Sequence, residues 1–159
     1  MGRVTANMTR AAAFALALAA LFAGPAVAKN KAAPIGPVFT PSDLPYPFSS
    51  AVRLGNVLYL SGQLGADESG KAVVPGGIEP ETRAMFARIG KTLNQHGLGF
   101  DDVFKCQVFL ADMADWPKFN AIYATYFKKG RYPARSAMGV NGLALGARVE
   151  MECWVWAGR

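Results

Sequence analysis

Apolar side chains recur every three to four residues in two parts of the chain, and this spacing predicts two amphipathic helices. The first covers residues 78–97, with Pro80 where a first helical turn tolerates proline and Gly97 as its stop. The second starts at Asp115, which we expect to cap it, and ends at Gly130. The apolar stripes are Met85, Phe86, Ile89 and Leu93 in the first helix and Phe119, Ile122, Tyr123, Tyr126 and Phe127 in the second.

Short apolar and alternating runs predict the strands. Residues 50–54 and 57–63 flank Gly55-Asn56, a dipeptide that accepts the positive φ angles of a tight turn, so they should pair as an antiparallel hairpin. The run "DVFKCQVFLADM" predicts another strand, "KAVV" a short one, and residues 135–141 and 147–156 the last two. This order predicts an α+β sandwich, a mixed sheet with two helices on one face.

The last predicted strand separates two kinds of side chain by alternation. Val149, Met151, Cys153 and Val155 form an apolar face that the helices should cover, and Arg148, Glu150, Glu152, Trp154 and Trp156 form the other. A face with two carboxylates and two indoles indicates an interface with another subunit, where buried charges must be paired or must hold a ligand.

The first 47 residues differ from the rest. Residues 1–28 have a basic start, the apolar stretch "AAAFALALAALFA" and the small-residue sequence Ala26-Val27-Ala28, which together predict a secretory signal peptide cut after Ala28. A retained membrane anchor is the alternative, although the apolar stretch is short for a bilayer span. Residues 29–47 are rich in proline and predict an extended tether before a domain at 48–159. The expected location is the periplasm or the exterior of the cell.

Charge and cysteine content narrow the function classes. Removing residues 1–28 takes away two arginines and no acid, so the formal net charge falls from +6 to +4, which is mild for a nucleic-acid-binding protein. Cys106 and Cys153 could form a disulfide after export, but their apolar surroundings favour two unbonded, buried side chains. No cluster of metal ligands is present, and the one histidine, His96, is expected to contact the carbonyls at the end of the first helix.

Arg135 is the residue that most directly indicates chemistry. It lies in "PARSAMGV", on the same strand face as Ala137 and among small residues that leave space beside it. A guanidinium group grips a carboxylate with two parallel hydrogen bonds, so the residues alone suggest an anion site. A structural ion pair with Glu150 or Glu152 on a neighbouring strand is the alternative, and the pattern leaves both open.

Four segments occur together in a specific order and spacing: "YPFSSAVRLGNVLYLSGQ", "DDVFKCQVFLADMADWPKFNAIYATYF", "PARS" and "GARVEMEC". On these segments, residues 48–157 resemble the Rid (RidA/YjgF) family of enamine/imine deaminases. The resemblance implies a chorismate-mutase-like fold and a homotrimer with its sites in the clefts between subunits. It also implies hydrolysis of 2-enamine or 2-imino acids to 2-keto acids and ammonia, a reaction that needs no cofactor and no metal.

The resemblance implies a role for each candidate site residue. Arg135 matches the arginine that binds the substrate carboxylate, and Glu150 matches the acid associated with the attacking water. Ser61 matches the serine of the "SGQ" strand end, and Asn120 matches the asparagine of the second helix. A purely structural role is equally open for both residues. The Ser61 hydroxyl could satisfy a backbone group at the strand end, and Asn120 could be an ordinary polar residue beside an apolar stripe.

The chain also departs from the family pattern near the expected cleft. Phe48 replaces a tyrosine common in the family, and Ala137 replaces a cysteine or threonine, which leaves only its backbone carbonyl to help hold a water. Gly65 and Ala144 stand where proline is frequent. These departures keep a second function open, a non-catalytic trimer that binds small acids or protects proteins. Ribonuclease activity or RNA binding, which some family members show, is less expected, since no basic stripe with interleaved aromatic residues is present.

Overall fold

A computed structural model describes residues 36–158, so the predicted signal peptide and the start of the predicted tether lie outside the described residues. The strands are β1 (Val38–Pro41), β2 (Ser49–Leu54), β3 (Val57–Leu60), β4 (Gln63–Leu64), β5 (Val103–Leu110), β6 (Ala134–Gly139) and β7 (Val149–Trp156). The helices are α1 (Ile78–Gln95) and α2 (Trp116–Tyr123). In the described part of the chain, no helix has the length and hydropathy that crossing a bilayer requires.

The strands form one mixed sheet, which confirms the predicted fold class. Their order is β1-β2-β3-β7-β5-β6, and β4 also pairs with β7. Only β5 and β6 run parallel, and α2 lies between them in the chain. A parallel pair needs such a crossover connection, so the β5-α2-β6 unit fixes α2 close to β6.

Both helices pack on the same face of the sheet. The predicted stripe of α1 is buried, with Phe86 in contact with aromatic side chains from α2 and the turn after it. Val149, Met151, Cys153 and Val155 of β7 lie in the same core, as the alternation predicts. The other face of β7 consequently points away from the helices, and it contains Glu150 and Glu152.

The predicted hairpin is present, but its second strand is interrupted. β2 and β3 pair antiparallel across Gly55, which has a positive φ of 58°. Tyr59 of β3 pairs with Trp154 of β7, and Gln63 of β4 pairs with Met151 of β7. The first two partners, Tyr59 and Gln63, are four residues apart, whereas their partners on β7 are only three residues apart. The Ser61-Gly62 step therefore holds one extra residue, an irregularity that re-aims neighbouring side chains as a bulge does.

The domain begins earlier than predicted. Four residues of the expected tether form β1, which pairs antiparallel with β2 at the edge of the sheet. An edge position tolerates the proline that ends β1, because its backbone needs no donor on the open side. His96 also differs from the prediction, since its Nε2 lies 3.2 Å from Oγ1 of Thr40 in β1 and not against the carbonyls of α1.

The expected cap of α2 is wrong. Asp115 has helical φ and ψ angles (−77° and −11°), whereas a capping residue takes extended angles that aim its side chain at the first free N–H groups. Its carboxylate instead accepts a 2.6 Å hydrogen bond from Nε of Arg148, just before β7. Buried Glu81 of α1 accepts the backbone N–H of the same arginine. Arg148 thus ties the starts of α1, α2 and β7 together.

The expectation of two unbonded cysteines is also wrong. Cys106 in β5 and Cys153 in β7 form a disulfide, and both residues are buried. They are direct partners in the antiparallel β5–β7 pairing, with their Cα atoms 4.1 Å apart. Each run alone shows only an apolar strand, and the register that joins them is set by contacts far apart in the sequence.

Candidate active site

Arg135 is held by one face of α2. Its guanidinium carbon lies 4.5 Å from the ring centroid of Trp116 and 4.2 Å from that of Tyr123, within the range of cation–π attraction. Its Nη2 donates a 2.8 Å hydrogen bond to Oδ1 of Asn120. These three partners are spaced four and three residues apart, which is the spacing of one helical face. The parallel β5-α2-β6 unit brings that face over β6.

The same guanidinium has an unused donor. Nη1 of Arg135 is buried and has no hydrogen-bond partner in residues 36–158. Arg135 lines a pocket that we call the arginine pocket, which has a volume of about 450 Å³ and is lined by Asn120, Tyr123, Ala124, Tyr132, Pro133 and Arg135. A fixed cation with a free N–H group can receive a carboxylate without losing its protein contacts.

Glu150 lies in a different cavity of about 640 Å³, together with Phe48 and Ser61, which we call the glutamate cavity. The carboxylate occupies space above Gly62, where a Cβ atom would come within 2.0 Å of Oε1. Burial raises the pKa of Glu150, and the nearby charge of Glu152 raises it further. A carboxylate with a raised pKa is a better proton acceptor, which suits a general base.

Ser61 and Phe48, the other two predicted site residues in this cavity, offer few free polar groups to a ligand. The Ser61 hydroxyl donates a 2.6 Å hydrogen bond to the carbonyl of Ser49, as a structural role at the strand end predicts. Its oxygen can still accept a bond from a ligand. Phe48 stacks on Tyr46 at 6.4 Å and supplies only an apolar surface. The cavity is therefore mainly apolar around one carboxylate.

The structure separates the two pockets within one chain. Arg135 contacts the helices, whereas Glu150 alternates with buried Val149 and Met151 and so points to the opposite face. The intervening strand β5 also puts β6 and β7 roughly 10 Å apart. The alternative of an Arg135 ion pair with Glu150 or Glu152 is therefore wrong, because β6 and β7 are not neighbours.

Ala137 lies on the same strand as Arg135 but lines neither the arginine pocket nor the glutamate cavity. It is opposite Val108 on β5 and packs against the core from the same face as Arg135. β6 is an edge strand in the described sheet, so one row of its backbone groups remains open. In residues 36–158, no group of three or more histidine, cysteine, aspartate or glutamate side chains is arranged to hold a metal ion.

Two residues that contact the Arg135 guanidinium, Trp116 and Tyr123, were not among the predicted site residues. Tyr123 was interpreted only as part of the apolar stripe of the second helix, and its ring does lie in the core. The spacing of Trp116 and Tyr123 from Asn120 was the available signal, since residues 116, 120 and 123 share one helical face. Only the pairing of β6 beside β5 shows that this face meets Arg135.

Comparison with known proteins supports one family for this chain. A family model described as Endoribonuclease L-PSP matches residues 42–157. The mouse protein named 2-iminobutanoate/2-iminopropanoate deaminase is 43% identical over 106 residues, covering 67% of this chain and 78% of the relative. A solved structure of a Rid-family protein, YyfA from Yersinia pestis, matches with a TM-score of 0.68 and 34% identity over 74% of this chain and 92% of that one. The chain belongs to the Rid family.

Other Rid proteins give the same picture. The crystal structure of RidA from an Antarctic Psychrobacter bacterium matches with a TM-score of 0.67 and 31% identity, over 74% of this chain and 93% of that chain. The human protein named 2-iminobutanoate/2-iminopropanoate deaminase is 40% identical over 106 residues, covering 67% of this chain and 77% of the relative. The names of these relatives describe a deaminase, whereas the family model is described by a ribonuclease activity.

Proposed function

We propose that this Rid protein hydrolyses reactive 2-enamine and 2-imino acids to 2-keto acids and ammonia. The names of the mouse and human relatives support deamination as the reaction. The observation that carries the proposal is Arg135, a cation fixed by α2 whose Nη1 has no partner in residues 36–158. A 2-imino acid supplies the carboxylate that such a group binds, next to an electrophilic carbon.

The chemistry needs an oriented water and a proton acceptor. Arg135 holds the carboxylate, and Glu150 takes a proton from a water whose oxygen bonds to the imine carbon. Glu150 passes this proton to the nitrogen, which leaves a carbon that bears a hydroxyl and an amino group. Glu150 then takes the proton of that hydroxyl group and passes it to the nitrogen as well, the carbon–nitrogen bond breaks, and ammonia leaves as the oxygen becomes the keto group. The backbone carbonyl of Ala137 helps to hold the water, and Ser61, Asn120 and Phe48 line the substrate.

The site is assembled from two copies of the chain in a homotrimer. The support is that Arg135 and Glu150 lie on opposite faces of one sheet, so a single copy cannot direct both at one substrate. The outer face of the sheet also has exposed aromatic surface, where Tyr59 and Trp154 pack edge to face and Trp156 is 49% exposed. A second copy that covers this face would bury it. Light scattering of the purified protein should give three times the mass of the mature chain.

Export is a further part of the proposal. The signal-peptide pattern of residues 1–28 supports it, and so does the Cys106–Cys153 bond, because disulfides persist mainly in oxidising compartments. The mature chain would begin at Lys29. Mass spectrometry of protein from the periplasm or medium checks the cut after Ala28, and full-length protein retained in the cytoplasm would contradict it.

A binding protein without turnover is the second candidate. Phe48, which lines the glutamate cavity where a tyrosine is common in the family, has no hydroxyl group to move a proton, and this favours the alternative. A binder would be stabilised against heat by keto acids and would release no ammonia. Because the family model is described as an endoribonuclease, RNA cleavage is also tested, by incubating labelled RNA with the same protein.

The test of the proposal is imine hydrolysis. An amino-acid oxidase generates the imino acid in place, the protein is added, and the loss of imine is followed for wild type and for Arg135→Ala. We expect acceleration by wild type and a loss of about a hundredfold or more in Arg135→Ala, since orientation of the substrate disappears. No acceleration by wild type, or full activity in Arg135→Ala, would overturn the proposal.

A further inference from the structure

The hydroxyl group of Tyr123 is a buried donor without a role in the fold. The residue is only 3% exposed, and its ring packs against Phe86, Phe119 and Phe127 at centroid distances of 6.0, 5.7 and 4.7 Å. Its oxygen has no hydrogen-bond partner in residues 36–158. Most buried hydroxyl groups are bonded, because burial removes their water without compensation. Burying this group therefore destabilises the fold.

A second donor without a partner belongs to Arg135, whose guanidinium lies against the Tyr123 ring. The guanidinium carbon of Arg135 is 4.2 Å from the ring centroid of Tyr123, and Nη1 of Arg135 is likewise buried without a partner. Both residues line the arginine pocket. Burial raises the pKa of Tyr123, and the charge of Arg135 opposes this with a smaller lowering effect. The hydroxyl consequently keeps its proton at neutral pH and can act as a donor.

The two residues with unpartnered donors line one pocket, and a carboxylate has two oxygens that can accept from both. We propose that the Tyr123 hydroxyl is a further substrate-binding residue, which donates a hydrogen bond to the carboxylate that Arg135 holds. This inference rests on the proposed function. Three polar groups then have distinct roles in the arginine pocket. Asn120 orients the guanidinium, and the Tyr123 hydroxyl and Nη1 of Arg135 bind the ligand. Tyr123 forms and breaks no covalent bond and transfers no proton.

The variant Tyr123→Phe separates a ligand role from a structural one. It removes one oxygen that has no partner in the described chain, so the free protein should be as stable to heat as wild type or more stable. Pyruvate serves as the probe, since it is the keto acid formed from 2-iminopropanoate. We expect the dissociation constant for pyruvate and the KM for the imine to rise about tenfold, with kcat nearly unchanged.

Tyr126→Phe is the matched control. It removes a hydroxyl from the same aromatic cluster, where Tyr126 stacks on Phe86, but Tyr126 does not line the arginine pocket. Its affinity for pyruvate should equal that of wild type. Calorimetric titration and a thermal melt of both variants, made in the full chain, give the two readouts.

The outcomes distinguish this inference from the proposed function. Unchanged pyruvate affinity in Tyr123→Phe, while Arg135→Ala no longer binds, would overturn the role of Tyr123 alone. A large drop in melting temperature, or failure to fold, would assign the hydroxyl a structural role and would also overturn it. Binding and full turnover in Arg135→Ala would instead remove the proposed function.

Discussion

The Arg135 guanidinium is held by three side chains of α2, whereas the Glu150 carboxylate accepts no hydrogen bond from residues 36–158 and occupies space that Gly62 leaves free. The arginine pocket is thus built for rigid binding of an anion. The glutamate cavity is mainly apolar, and its burial tunes the basicity of one acid. In the proposed mechanism, this difference assigns two tasks, holding the substrate and moving a proton, to opposite faces of one sheet.

Removing the charge of Glu150 should have the largest effect on the chemical step. Glu150→Gln deletes the proton acceptor and keeps the shape, so we expect kcat to fall about 10²- to 10⁴-fold. Pyruvate binding, measured by titration, should remain, because the arginine pocket is intact. Glu152→Gln is the control on the same strand face, where Gln107 donates to the Glu152 carboxylate. Loss of pyruvate binding in Glu150→Gln would show that the two tasks are not separate.

The disulfide joins β7, the strand of Glu150, to β5, the neighbour of the strand that contains Arg135. Cys106 on β5 is the direct pairing partner of Arg135 on β6, and Cys153 lies three residues from Glu150 on β7. Replacing both by alanine should lower the free energy of unfolding by about 2–4 kcal/mol, because the unfolded chain loses its constraint. Denaturant unfolding checks this, with unreduced wild type as reference. Equal midpoints for variant and wild type would contradict a bonded pair.

The orientation of Arg135 depends on Asn120, so Asn120→Ala should weaken binding more than turnover. The variant leaves Nη2 without its acceptor, and we expect KM to rise about tenfold with a smaller change in kcat. Lys118→Ala, an exposed position on the same helix, serves as the control for helix stability. An equal loss of kcat and kcat/KM in Asn120→Ala would mean that its contact with Arg135 matters only in the transition state.

The pH dependence of activity gives the smallest and most specific effect. Glu150 must be ionised to act as a base, and burial first and the charge of Glu152 second raise its pKa. Activity should therefore be lost, as pH falls, at a higher pH than an ordinary glutamate would give. In Glu152→Gln the pKa of Glu150 should fall, and the acid limb of kcat/KM should move to lower pH. An acid limb that does not move would remove Glu150 as the titrating group.

The sequence was a good guide wherever a pattern is local. The stripes of α1 and α2 and the two faces of β7 were all predicted, because helical and strand periods determine which side chains share a face. The hairpin at Gly55-Asn56 was predicted for the same reason. Arg135 was singled out from its small neighbours and Glu150 through resemblance, and their separation follows once the strand order is known.

One error is local, since α2 ends at Tyr123 and not near Gly130 as predicted. The other main errors involve partners that are far apart in the chain. Asp115 looked like a helix cap, but its partner is Arg148, and the Cys106–Cys153 bond depends on the β5–β7 register. His96 contacts Thr40 of a strand that was expected to be a tether. No local pattern encodes such pairs. Tyr123 was missed for a related reason. Its ring fits an apolar stripe, and its contact with Arg135 depends on the pairing of β5 with β6.

The most direct measurement mixes two inactive variants. Arg135→Ala and Glu150→Gln are co-expressed in equal amounts, and the activity of the mixed trimers is compared with each variant alone. If each site takes its arginine from one copy and its glutamate from the next, random assembly restores about a quarter of wild-type activity. A mixture as inactive as its parts would contradict a site that is shared between copies.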